Sequence, residues 1–123
     1  MPEVFIRDMN GRLARAGEVT LPSNRNFRDA WVWNGPVMEV DMPTARWLYR
    51  DRVKTAEKAM AAELLPRLFD AELGNNPLEK AELARLRGKA RNSRDDTAID
   101  AATTPEDLLA LWDDESLGSF TEE

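Results

Sequence analysis

The sequence predicts an α+β fold: a small N-terminal antiparallel β-sheet (two hairpins plus a strand) packed on a long helix, followed by a kinked helical extension. Three observations predict it. Asn10-Gly11 and Asn34-Gly35 each sit between short runs of β-forming residues, the strongest local hairpin signal. Ala45, Tyr49, Val53, Ala56, Met60 and Leu64 recur at steps of three and four, drawing one apolar stripe along a helix. Beyond Pro66 the chain keeps helical spacing, with prolines at positions where helices restart.

The first hairpin runs from Glu3-Val-Phe-Ile-Arg through Asn10-Gly11 to Arg12-Leu-Ala-Arg. A type I′ turn needs positive φ at both central residues, which Asn-Gly supplies. Val4 and Ile6 then share one face, and Phe5 and Arg7 the other. Glu18-Val-Thr-Leu-Pro22 reads as a third strand, and 22–26 as loop. In the second hairpin a two-residue Asn34-Gly35 loop pairs Trp33 with Pro36, Val32 with Val37 and Trp31 with Met38. Trp31, Trp33, Met38 and Val40 then lie together, as the face expected under the long helix. The result is a four- or five-stranded antiparallel sheet with one covered side.

Asp41 caps the long helix, and Pro43 sits in its first turn, where a missing N–H costs nothing. To Leu65 the helix is about 36 Å long at 1.5 Å per residue. Pro66 is expected to kink or end it, because an interior proline removes a hydrogen bond. Leu65, Leu68, Phe69 and Leu73 continue the spacing to Gly74, a terminator. Asn76-Pro-Leu-Glu79 restarts a helix that runs to about Arg91, with Leu78, Leu83, Leu86 and Ala90 apolar. A polar linker, 92–96, follows, and Thr104-Pro-Glu-Asp107 opens a last short helix. The expected organisation is 1–65 as the sheet-plus-helix domain, 66–112 as the helical extension and 113–123 as a flexible acidic tail.

Composition narrows the function. Among the 123 residues there is no cysteine and no histidine. That excludes disulfides, thiolate chemistry, His-based acid–base catalysis and every Ser-His or Cys-His arrangement. No phosphate-binding or dinucleotide glycine loop is present. The carboxylate clusters Asp95-Asp96 and Asp113-Asp114-Glu115 lack the alternating spacing of a metal loop. The reading is therefore non-enzymatic, with no cofactor, no metal and no small-molecule substrate; a carboxylate pair formed in three dimensions is the enzymatic alternative. There is no run of about 18 apolar residues and no signal-peptide pattern, so a soluble protein made in a cytoplasm is expected, with no membrane partner.

Charge is sharply divided. Residues 1–94 hold all 17 Lys and Arg against 13 Asp and Glu, a balance of +4, while 95–123 hold ten acidic residues and no basic one, −10. The run Arg85, Arg87, Lys89, Arg91 and Arg94 could bind phosphates, but no aromatic interleaves it and the whole chain is acidic. A solvated face, or a dock for the acidic C-terminal segment, is the stronger reading, and nucleic acid is not an expected partner.

Four tryptophans carry the candidate contacts. Trp31 and Trp33 on one sheet face suit either a core or a sugar-stacking platform, and core is favoured. Trp47 lies roughly 200° from Ala45 around the helix, off the apolar stripe, so it is a candidate partner-binding residue. Leu108, Leu109, Leu111 and Trp112 make the last helix too apolar to stand free in water. Either it packs on the domain or it anchors in a groove of another chain.

Three stretches carry a resemblance: Leu21-Pro-Ser-Asn-Arg-Asn-Phe-Arg-Asp-Ala-Trp31, Val40-Asp-Met-Pro-Thr-Ala-Arg46 through Arg52, and Ala98-Ile-Asp-Ala-Ala-Thr-Thr-Pro-Glu-Asp-Leu-Leu-Ala-Leu-Trp112. Together they resemble small structural or assembly proteins of the tail region of tailed double-stranded-DNA phages. The last stretch is similar to the ends of tail-fibre assembly proteins. The resemblance implies a bacteriophage viral protein that works through protein–protein interaction. It would be either a virion component near the tail or its fibres, or an assembly chaperone that leaves before maturation. Its expected partners are other phage structural proteins of the tail or fibre, and its expected location is the virion tail region after synthesis in the host cytoplasm.

Overall fold

A computed structural model describes residues 4–23 and 25–120. The expected start of the first strand at Glu3, Asn24 of the 22–26 loop and the last three residues of the expected tail lie outside them. The fold class is the expected α+β, with two antiparallel hairpins leading into a long helix and a helical remainder.

In the first hairpin β1 (Phe5–Arg7) pairs with β2 (Leu13–Arg15), Ile6 lying opposite Ala14. Its turn is not the expected two-residue type. The Gly11 amide donates to the Asp8 carbonyl at 3.0 Å, the Asp8 amide donates to the Arg12 carbonyl at 2.9 Å, and Gly11 alone takes positive φ, +83°. This is a three-residue loop, a type I turn followed by one left-handed glycine. The Asp8 carboxylate sets it, accepting the amides of Asn10 (3.0 Å) and Arg12 (2.8 Å) while its other oxygen accepts the Trp33 amide of the second hairpin (3.0 Å).

β3 (Trp31–Asn34) and β4 (Val37–Val40) pair with Trp31 opposite Val40, Trp33 opposite Met38 and Asn34 opposite Val37. The loop is thus Gly35-Pro36, one position later than expected. Gly35 takes the positive φ, +65°, and Pro36 is fixed at negative φ by its ring, the glycine-first hairpin pattern. Each strand partner moves by two residues, so Trp31, Trp33, Met38 and Val40 still share a face.

That face does not lie under the long helix. Trp31 and Met38 pack with Ala14, Ile6, Val19, Leu21 and Trp33, in a core between the two hairpins. The expected third strand shrinks to one parallel bridge, Thr20 to Val37. A 3-10 turn at Ala16–Glu18 and Pro22, which has no N–H, leave too little extended chain between them. The single four- or five-stranded sheet is therefore corrected to two two-stranded ribbons packed against each other.

α1 (Met42–Leu73) begins where expected, the Asp41 carboxylate accepting the Thr44 amide at 3.2 Å. It does not break at Pro66. It runs for 32 residues, about 48 Å at 1.5 Å per residue. Pro66 frees the Ala62 carbonyl, but both residues are exposed, so water can satisfy it. α2 (Pro77–Ser93) returns antiparallel, capped by Asn76. The reversal uses Asn75, at φ +47°, while the expected terminator Gly74 stays right-handed.

The sharp bend falls at Arg94 and Asp95, inside the expected linker, and α3 (Asp96–Ala101) follows. In α4 (Pro105–Leu111) the expected Thr104 cap closes a full capping box with Asp107. Residues 113–117 are not a loose tail: α5 (Asp114–Leu117) packs with Ser116 buried.

Two cores flank α1. The main one joins Ala45, Tyr49 and Val53 to Phe27, Ala30, Ile99, Ala102 and Leu108. The second holds Leu64 and Ala71 against Leu83 of α2. The apolar stripe predicted from Ala45 to Leu64 is thus shared between two partners.

Candidate interaction surface

Ala45 and Tyr49 are fully buried, and Trp47 between them projects from the opposite side of α1 with 64% of its surface exposed. The other four expected contact residues are used within the chain. Leu108 is fully buried in the main core, with Leu109, Leu111 and Trp112 packed half-buried against it. Packing on the domain, one of the two arrangements open to the last helix, is the one that forms. The Trp112 ring meets Tyr49 edge-on (6.2 Å) and Phe120 edge-on (5.0 Å), and its Nε1 donates to the Gly118 carbonyl at 2.7 Å. Phe120 also meets Phe27 at 5.5 Å, so residues far apart in the chain close one core.

The C-terminal segment docks on the basic run, one of the two roles its charge left open, and over 113–117 this replaces the expected flexible tail. Glu115 is bonded by Arg85 (2.8 and 3.0 Å) and Lys89 (2.5 Å), and Lys89 lies 3.3 Å from Asp113. These cations, Arg85 first, pull the Glu115 carboxyl down to about 2. Glu115 and Glu82 push Arg85 up, and Glu115 with Asp113 does the same for Lys89. Asp113 is lowered first by the Ser116 hydroxyl, which it accepts at 2.6 Å. Beneath this cluster the buried Ser93 carbonyl accepts the Tyr49 hydroxyl at 2.7 Å, and burial raises the Tyr49 phenol.

Arg46 and Arg50 bind α3 and its end from the other side. Arg46 donates twice to the Ala102 carbonyl (3.2 and 2.6 Å), and Arg50 bonds Asp96 (3.1 Å) and Asp100 (2.7 Å). The adjoining cleft, lined by Arg50, Val53, Lys54, Glu57, Arg94 and Asp96, contains guanidiniums already engaged, Arg94 by Glu57 at 2.8 Å. Among the described residues no cluster of three or more acidic groups is placed to hold a metal, and no helix is long and apolar enough to cross a membrane.

Trp31 is buried between the hairpins, with Arg25 and Arg28 near its ring, and offers no open face for a sugar. Trp33 is half-buried with the Arg12 guanidinium 4.8 Å from its ring centre. Asp8, which bonds the Trp33 amide, is held below the usual carboxylate range by that bond first, against the opposing effect of burial.

One feature escaped the sequence reading. Leu65, Phe69 and Leu73 are 64%, 64% and 75% exposed on the far half of α1. The signal was present: from Leu64 to Leu73 two apolar stripes run side by side, and one returning helix can bury only one of them. Comparison of the chain with protein families, with curated proteins and with solved structures finds no match.

Proposed function

We propose that the chain is a non-enzymatic, phage tail-associated structural or assembly protein that acts through protein–protein contacts, with Trp47 as its principal contact residue. The observation that carries this reading is the Trp47 indole, held in the open on a rigid helix whose opposite side is locked into the main core. A large aromatic fixed in this way is the kind of anchor that dominates protein interfaces. The resemblance of 21–31, 40–52 and 98–112 to phage tail-region proteins supports the choice of partner, a structural protein of the tail or its fibres.

The burial of Leu108 and its neighbours moves the proposed contact away from α4 and onto the outer face of α1. A retained virion component and a departing chaperone use such an anchor equally well. Mass spectrometry of purified particles separates them: a fixed copy number per particle identifies a virion component. Absence from particles, together with recovery on unassembled tail or fibre protein, identifies the chaperone. Absence from both overturns the proposal.

A further inference from the structure

The far half of α1 is apolar on two sides. Leu64, Leu68 and Ala71 turn to α2, leaving Leu65, Phe69 and Leu73, one turn apart, uncovered beside the small side chains of Ala61 and Ala62. Three large side chains on one side make an apolar patch on the order of 400 Å², within the range of the largest patches that monomers carry, which are often functional. We propose that this face pairs with a second copy of the same chain, the two α1 helices antiparallel about a two-fold axis at Leu65.

Charge selects both occupant and register. Lys58 lies seven residues before Leu65 and Glu72 seven after, each about 20° from it around the helix. The two-fold operation sets Lys58 of each copy opposite Glu72 of the other, making two interchain pairs. Parallel pairing would instead set Lys58 against Lys58 and Glu72 against Glu72. Lys58 has no ion-pair partner among the described residues, and Glu72 reaches only the Lys80 ammonium, at 3.5 Å. Size matches as well: Phe69, four residues after the axis, meets Ala61, four before it, so each ring packs over small side chains. An isologous contact of this kind is self-complementary by construction.

The surface is modest beside the roughly 800 Å² per partner of a standard interface, so the pair is a weak one that forms at high protein concentration. Trp47 stays outside it. It lies 18 residues from Leu65, about 27 Å along the helix, whereas the second copy's α1 ends at Leu73, about 12 Å past the axis. Pairing therefore stands or falls independently of the tail-contact reading.

Sedimentation equilibrium of the full chain between about 5 and 500 µM tests it. A monomer–dimer equilibrium is expected, weakened at least about tenfold by Leu65→Asp, with the helical circular dichroism of the monomer unchanged. Lys58→Glu and Glu72→Lys should each weaken pairing, and the double reversal K58E/E72K should recover much of the loss. Because the chain has no cysteine, Leu65→Cys adds a single thiol that a short bismaleimide should link into dimers, while Leu78→Cys should not be linked. A chain monomeric throughout the range overturns the proposal. So do a dimer indifferent to Leu65→Asp, single reversals whose effects simply add, and linking of Leu78→Cys as efficient as that of Leu65→Cys.

Discussion

Ser93 carries no charge and has no exposed surface, yet it ties three helices together. Its carbonyl takes the Tyr49 hydroxyl of α1, and its hydroxyl accepts the Asp113 amide at the start of α5 (3.0 Å). Tyr49→Phe keeps the ring packed against Trp112 and removes only that bond. It should cost about 1 kcal/mol in urea denaturation, and an unchanged midpoint would show that the hydroxyl is dispensable. Glu115 gives a pH signature. Its carboxyl is depressed from an ordinary 4.5 to about 2, so the unfolded chain binds the proton more readily. The stabilisation is fully present above about 4.5 and is lost as pH falls towards 2. Glu115→Gln should therefore melt a few degrees below wild type at neutral pH, with the gap closing as the pH approaches 2 and shrinking in molar salt, since these groups are solvent-exposed. A gap that is constant with pH contradicts the assignment. The sequence showed Tyr49 in the apolar stripe and Glu115 in a carboxylate cluster but not the bonds they make: a serine among polar neighbours and one acid among ten become informative only when folding gives them partners.

At the scale of elements, the starts of the three longest helices were legible, while the starts of α3 and α5 and the hairpin turns were not. Asp41, Asn76 and Thr104 cap as expected because a cap is decided within three residues. The hairpin turns departed from the Asn-Gly rule because neighbouring side chains compete with it: Asp8 accepts the amides of Asn10 and Arg12 besides that of Trp33, and Pro36, next to Gly35, fixes the second turn. Pro66 misled for a related reason. A proline ends a helix unless something holds both sides of it, and here Leu64 and Leu68 hold α1 to α2 across the site. The tolerated defect should still be measurable. Pro66→Ala restores the hydrogen bond to Ala62 and should stabilise the protein by about 1–3 kcal/mol in thermal or urea unfolding. A loss of stability would mean that the proline's ring is itself needed.

At the scale of the molecule, the last described residues fold back on the middle of the chain. The division of charge was legible in composition, and of the two roles it left open for the basic run, docking of the acidic segment is the one that forms. Its ordered α5 was not legible, because four residues carry no periodicity and depend on Arg85 and Lys89 for their place. Phe120 then lies against Phe27 and Trp112. A chain ending at Leu111 loses that closure and leaves Phe27 and Tyr49 open to water. It should melt at least about 10 °C lower and bind a hydrophobic dye that the full chain excludes; a truncated form as stable as the full chain would show that the main core does not need its C-terminal cover.

This closure also bears on function, since it buries Leu108, engages the half-buried Leu109, Leu111 and Trp112 in the chain's own core, and leaves Trp47 as the exposed tryptophan on the outer side of α1. The most direct measurement is quantitative co-purification of tagged wild-type and Trp47→Ala protein from cells assembling particles, with circular dichroism confirming that both are folded. The proposal predicts that wild type retrieves a tail or fibre protein and that Trp47→Ala loses at least about nine-tenths of that yield. Equal retrieval by both, or no particle protein with wild type, would contradict it.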